Sequence, residues 1–181
     1  MKTFTAIVEA VLTATDPSTF VTRREQEIRI ELAGIPGDRH YGLLRPADVR
    51  QSFYPRGTMI ANRRQISIVG AEEMEQIATL LETGEILPEW LGANILLRGY
   101  APLTLLPQGA RLLFERGSTG LICEGENLPC SGPAKVIAAS CDRPELAKKF
   151  VPAAKQKRGI VCSVEKEGTV APGDTVRIMI P

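Results

Sequence analysis

Cys130 lies in the run Asn127-Leu128-Pro129-Cys130-Ser131-Gly132-Pro133, where two prolines, a serine and a glycine interrupt regular structure around the thiol. This composition predicts a sulfur held on a tight turn and reachable from a pocket. A reachable thiolate has two uses: it ligates a soft metal, or it acts as a nucleophile. The other thiols, Cys123, Cys141 and Cys162, form no C-x-x-C pair and no zinc-knuckle spacing with it, which argues against structural zinc and against a disulfide framework. Cys123 in Leu121-Ile122-Cys123 and Cys162 in Val161-Cys162-Ser163 read as small core hydrophobes, while Cys141 is open to either reading.

A second chemical cluster is cationic. Between residues 39 and 64 the chain carries Arg39, Arg45, Arg50, Arg56, Arg63 and Arg64 against the one acid Asp48. Guanidinium forks match phosphate oxygens, so this stretch either meets an anion or forms a solvated basic loop. His40 is the only histidine, which removes any histidine metal cluster and any serine-histidine relay not centred on it. Its imidazole either donates a proton at a pocket edge or packs beside Arg39 and Tyr41. Asn94 closes Leu91-Gly92-Ala93-Asn94 ahead of an apolar strand, and its amide can donate and accept or cap its own backbone.

The elements that must position these residues are mostly strands. Short runs of strand type cover residues 5–13, 27–32, 65–69, 93–97, 111–114, 120–123, 159–164 and 175–180, bounded by Gly, Pro or Asp. Many short strands favour a barrel. A helix is predicted after Gly70: Glu72, Glu73 and Glu75 crowd its first turns, Met74, Ile77, Ala78 and Leu81 recur at helical spacing, and Thr83-Gly84 stops it. Shorter helices are expected at residues 133–141 and 144–154, and residues 43–58 form a long polar loop. Gly173-Asp174 reads as the reversal that lays down the last strand, and Trp90 as core.

The whole chain, residues 1–181, reads as one domain, since 44% hydrophobic and 24% charged content supports one buried core. No apolar run approaches the roughly 18 residues of a membrane span, and Met1-Lys2-Thr3-Phe4-Thr5 lacks the regions of a signal peptide, so a cytoplasmic protein is expected. A net charge of +1 and 5% aromatic content make a nucleic-acid partner unattractive.

Six pieces in one order resemble the MOSC family, named for the carboxy-terminal domain of molybdenum-cofactor sulfurases. They are Gly34-Ile35-Pro36-Gly37-Asp38-Arg39-His40, Arg64-Gln65-Ile66-Ser67-Ile68-Val69, Leu91-Gly92-Ala93-Asn94-Ile95, Pro129-Cys130, Arg158-Gly159-Ile160-Val161 and Pro172-Gly173-Asp174-Thr175-Val176. The resemblance implies a mostly β fold with a few helices (α+β), a closed or partly open β-barrel of the pyruvate-kinase barrel type, with a pocket for the molybdenum cofactor. It places the family's cysteine on Cys130, which would ligate molybdenum or carry a persulfide. It sets Arg39 near the cofactor's phosphate and pterin and suits Asn94 to the pterin edges; Arg64 and Arg158 are the second and third guanidinium candidates, His40 lines the pocket or packs, and Asp38 reads as an ion pair or turn cap that orients Arg39.

Two functions follow from the resemblance. One is a small molybdoenzyme that reduces an N-hydroxylated small-molecule substrate. The chain has no iron-sulfur spacing and no dinucleotide fingerprint, so its electrons would come from a separate electron-donor protein. The other is a carrier that takes sulfur from a separate sulfur-donor protein, or holds cofactor, and passes it on without turnover.

Overall fold

Period-two burial builds the wall of the molecule. The computed structural model describes residues 1–181. Its strands are β1 (Lys2–Thr13), β2 (Arg23–Glu25), β3 (Ile28–Ile30), β4 (Leu44–Pro46), β5 (Met59–Ala61) and β6 (Ile66–Gly70), then β7 (Ile95–Arg98), β8 (Arg111–Phe114), β9 (Gly120–Glu126), β10 (Ile160–Lys166), β11 (Gly168–Val170) and β12 (Thr175–Ile180). The helices are α1 (Ala71–Leu81), α2 (Ser131–Ser140) and α3 (Leu146–Ala153).

Seven of these strands close into a barrel. The order runs β1, β12, β8, β9, β10, β6, β7 and back to β1. Only β6 and β7 pair parallel, because α1 carries the chain between them; every other pair around the ring is antiparallel. The expected α+β barrel is what forms. β2, β4, β5 and β11 were not expected, since three residues are too few to give an alternation signal. β4 and β5 pair as a hairpin at the base of the predicted polar loop.

Two cores lie on opposite faces of that wall. Inside, Ile66, Ile68, Leu112, Phe114, Ile160 and Ile178 pack together, with Cys123 and Cys162 as the small apolar fillers the sequence predicted. Outside, Val69, Leu91 and Leu96 meet Met74 and Ile77 of α1, Ala134 and Ile137 of α2, and Phe150 of α3. β1 serves both cores. Ala6 and Val8 face the barrel interior, then the register against β7 slips between Val8 and Ala10, after which Val11 points in while Ala10 and Leu12 point to the helices. A bulge adds one residue and exchanges the faces of everything beyond it.

A buried latch fixes the loop after β3. The Asp38 carboxylate accepts the N–H of Ala14 at 2.8 Å, the N–H of His40 at 2.9 Å and the Asn94 amide at 3.0 Å. Asn94, in turn, accepts the Ser67 N–H at 3.0 Å and donates to Leu12 O at 3.3 Å. β1, β6 and the entry to β7 are thereby tied to one carboxylate. Burial pushes the Asp38 carboxyl up, but hydrogen bonds from the His40 ring and from the Ala14 and His40 N–H groups outweigh it and leave the group below its ordinary value.

Gly159 opens β10 with φ of +85°, and a Cβ there would lie 2.0 Å from Ile68 O. Only glycine allows this approach. No helix is long and apolar enough to cross a membrane.

Gly159→Ala should cost more than about 3 kcal/mol, since both the backbone conformation and the neighbour oppose a side chain. Chemical denaturation measures it, and an unchanged midpoint would contradict the packing described. Asp38 carries a second expectation. Its folded value lies below the unfolded one, so its stabilisation is present above about pH 4 and is lost as pH falls through the folded value. Asp38→Asn should lose about 2–4 kcal/mol at pH 7 and show a flatter decline in stability between pH 7 and 3 than the parent chain. Equal slopes would remove Asp38 from the acid response.

Candidate functional site

The site lies on the outer face of the barrel, where β6 and β10 run side by side. Ile66 and Ile68 point inward, so Ser67 points out, and its cross-strand partner Val161 does the same. These two residues form part of the floor of a cavity of about 210 Å³. Asn127, which follows β9, donates to Ser67 Oγ at 3.1 Å and accepts Arg64 Nη2 at 2.8 Å. Phe20, Leu91 and Gly92 line the cavity as well, together with the start of α2.

Cys130 is not on a free turn: it is the N-cap of α2, with extended backbone at φ −144° and ψ 175°. The prediction misplaced the helix start by two residues, because a proline in a helix's first turn lacks only an N–H that had no partner anyway. The thiol is exposed, as expected. No side chain caps α2, so its first N–H groups and the positive end of its dipole lie beside the sulfur. A Cβ on Gly132 would meet the Phe20 ring at 3.3 Å and Cys130 Sγ at 4.0 Å, so that glycine keeps the aromatic wall and the thiol close.

Arg158 enters from the opposite side, just ahead of β10. It is 5% exposed, yet only Nη2 is bound, to Leu91 O, while Nε and Nη1 are buried without a partner. Leaving such donors unsatisfied costs about 1–3 kcal/mol each, and more on a charged group. Burial pulls the Arg158 guanidinium down to about 10; the neighbouring Arg64 acts in the same direction and Cys130 against it. Arg64 is likewise lowered to about 10 by burial first and by Arg50 and Arg45 next, partly opposed by Asp48 and Cys130. Both remain cations at neutral pH. No carboxylate lines the cavity.

Of the six arginines in the basic segment, Arg45 and Arg50 are paired with Asp48 and Arg63 with Glu124, which leaves Arg39, Arg56 and Arg64 without a carboxylate. Arg39, His40, Arg50 and Arg64 line both the Cys130 cavity and an adjoining one of about 550 Å³ under the β4–β5 hairpin. The His40 ring sits 3.1 Å from Asp38 Oδ1 through Nδ1.

Five of the six residues singled out in the sequence therefore share one cavity: Cys130, Arg39, His40, Arg64 and Arg158. Asn94 does not, since it is 1% exposed and its amide is consumed in the latch. Asp38 makes no ion pair with Arg39; of its two expected roles it takes the turn cap, its carboxylate accepting the His40 N–H across Arg39 while also binding Ala14 and Asn94. Arg50, Asn127, Ser67 and Phe20 were not foreseen as site residues. Asn127 opens the run that holds Cys130, and Arg50 belongs to the basic segment, so each carried a signal; Ser67 and Phe20 carried none.

An exposed soft sulfur, a half-satisfied buried guanidinium, three further arginines and a helix N-terminus fit an anionic group that also bonds to sulfur. Such a lining suits an anionic, phosphate-bearing group with a thiophilic centre. The two adjoining cavities, about 210 and 550 Å³, together have the volume for more than a single small ion.

The chain is 46% identical over 178 residues to YuaD of Bacillus subtilis (strain 168), covering 98% of this chain and 92% of that one; that protein is provisionally named for metal-sulfur cluster biosynthesis. The crystal structure of the Bacillus subtilis YUAD protein superimposes with a TM-score of 0.95 at 44% identity, over 99% of this chain and 98% of that one. YiiM from Geobacillus stearothermophilus shares the fold alone, with a TM-score of 0.63 at 13% identity, over 96% of this chain and 75% of that one. The MOSC domain profile matches residues 55–177, and with that match and the YuaD likeness the chain belongs to the MOSC domain family.

Proposed function

We propose that the chain binds the molybdenum cofactor in the Cys130 cavity and reduces N-hydroxylated compounds, such as a modified base or an amidoxime, with electrons from a separate protein. The observation that carries this reading is the Arg158 guanidinium, buried with two free nitrogens in the cavity that exposes the Cys130 thiol. When bound, the cofactor supplies the redox-active metal. The chain's own residues hold and orient. Cys130 offers the thiolate ligand, Arg158 and Arg64 neutralise the anion from below, and Arg39 and Arg50 do so from the rim. His40, steadied through Nδ1 by Asp38, keeps its other ring nitrogen for a proton passed to substrate. Four free thiols fit a reducing compartment such as the cytoplasm.

A second reading is supported by the exposure of Cys130 and by the name of YuaD: a sulfur carrier that holds a persulfide on Cys130 and passes it to another protein. Neither reading involves the buried thiols. Cys123 and Cys162 are both held protonated by burial, Cys162 strongly so.

The experiment is metal and pterin analysis of protein made in cofactor-competent cells, followed by a reductase assay with a chemical electron donor. Molybdenum with turnover supports the first reading; a persulfide on Cys130 without metal supports the second. Cys130→Ser should abolish metal retention without loss of stability, since an exposed thiol adds little to the core and a serine at the N-cap of α2 is itself a favoured cap. Unchanged molybdenum in that variant would exclude the cysteine. Arg64→Gln should weaken retention by about 1–3 kcal/mol, the value of one charge-assisted contact, and the exposed Arg39→Ala by less. Full retention in Arg64→Gln would exclude it from the binding set.

A further inference from the structure

We infer that the Cys130 cavity takes sulfur from a thiosulfonate-type donor, a small dianion with a sulfonate head and a transferable outer sulfur, of which thiosulfate is the simplest. The inference rests on the carrier reading and adds to it the class of donor. A carrier must be loaded, and the cavity's shape and charge describe what loads it.

The inner cavity, about 210 Å³, is close to seven water molecules' share of liquid volume, which suits a small tetrahedral anion with its remaining waters. Its charge is one-sided: Arg158 and Arg64 are buried or half-buried, Arg39 and Arg50 stand at the rim, and no carboxylate faces them within the lining. Nε and Nη1 of Arg158 lack any acceptor; they lie on different edges of the guanidinium, so each offers a separate charge-assisted bond to an anion oxygen. Arg64 spends Nη2 on Asn127 and keeps its other nitrogens for the same ligand. The uncapped N-terminus of α2, ten residues long, adds its positive end next to Cys130 Sγ. A sulfonate seated on the arginines shares this cavity with the Cys130 thiol, the one nucleophilic sulfur in its lining.

The step balances without an added oxidant. Cys130, its proton given to solvent, attacks the outer sulfur, and a new sulfur-sulfur bond forms as the bond to the sulfonate breaks. The bonding pair leaves with sulfite, whose charge the same arginines stabilise. The enzyme is left as a persulfide. A thiol acceptor, or cyanide in its place, then takes the outer sulfur and restores Cys130.

The test uses protein made in cells that lack the cofactor, so that Cys130 is free. Incubation with thiosulfate should add the mass of one sulfur atom at Cys130, and cyanide should then release thiocyanate with saturable dependence on thiosulfate. Cys130→Ser should show neither. Arg64→Gln should raise the KM for thiosulfate about tenfold or more, while alkylation of Cys130 by iodoacetamide and its loading by inorganic polysulfide, which has no sulfonate, stay as in the parent chain. Arg158→Met should act in the same way and more strongly; because a buried arginine also bonds Leu91 O, Arg64→Gln decides the matter if that variant fails to fold. Loading by polysulfide but not by thiosulfate would overturn the donor class and leave the carrier reading standing. Loading by neither would overturn both. An unchanged KM in Arg64→Gln would overturn the sulfonate contact.

Discussion

A guanidinium held out of water with two of its nitrogens unbound is costly, and a fold keeps such a group where something else will complete it. Arg158 is in that position. It follows α3 and precedes a glycine whose N–H is fixed at 2.7 Å on Thr104 Oγ1, and whose Cα sits against the backbone of β6. Thr104 itself is held by the buried Glu73 of α1, through its N–H at 2.9 Å and its hydroxyl at 2.8 Å. The backbone at Arg158 is thereby fixed, and burial together with the bond from Nη2 to Leu91 O holds its side chain. The charge is thus fixed in place before any ligand arrives, which is what binding an anion without reorganisation requires.

The barrel interior takes no part in the chemistry. It is filled with apolar side chains and two thiols kept protonated by burial. The candidate site sits on the outside of that wall, at the cross-strand pair Ser67 and Val161. The bulge in β1 makes this possible, because it turns Ala10 and Leu12 outward to seat the helices while Val11 continues the inner core. α2 then starts where β9 ends and brings Cys130 over the cavity. The Asp38 latch does the same for the loop that carries Arg39 and His40.

How much of this was legible depends on whether the signal was local. Alternation located the ring strands, and the acid-rich first turn and apolar spacing located α1, since both are properties of neighbouring residues. Cys130 was found by its polar, turn-forming surroundings, and its exposure follows from them; the helix it caps was misjudged because Pro133 looks like a breaker and is tolerated in a first turn. Asn94 shows the opposite limit. Its partners Leu12, Asp38 and Ser67 lie far away in sequence, so nothing beside it told that its amide was already spent. Arg158 was picked out by family likeness, yet its run Lys155-Gln156-Lys157-Arg158 gives no hint that one of these cations is buried and the others are not. The short strands β4 and β5 were unreadable for want of length, and with them the placement of Arg50 at the cavity rim.

The account comes down to one ligand meeting two side chains at once. A crystal structure of the protein purified from cofactor-competent cells tests that most directly. The account predicts an anionic ligand in the cavity above Ser67 and Val161, with an oxygen within hydrogen-bond distance of Arg158 Nε or Nη1 and its metal or sulfur against Cys130 Sγ. A ligand bound elsewhere on the molecule, with Arg158 still unpartnered and Cys130 facing only water, would contradict it.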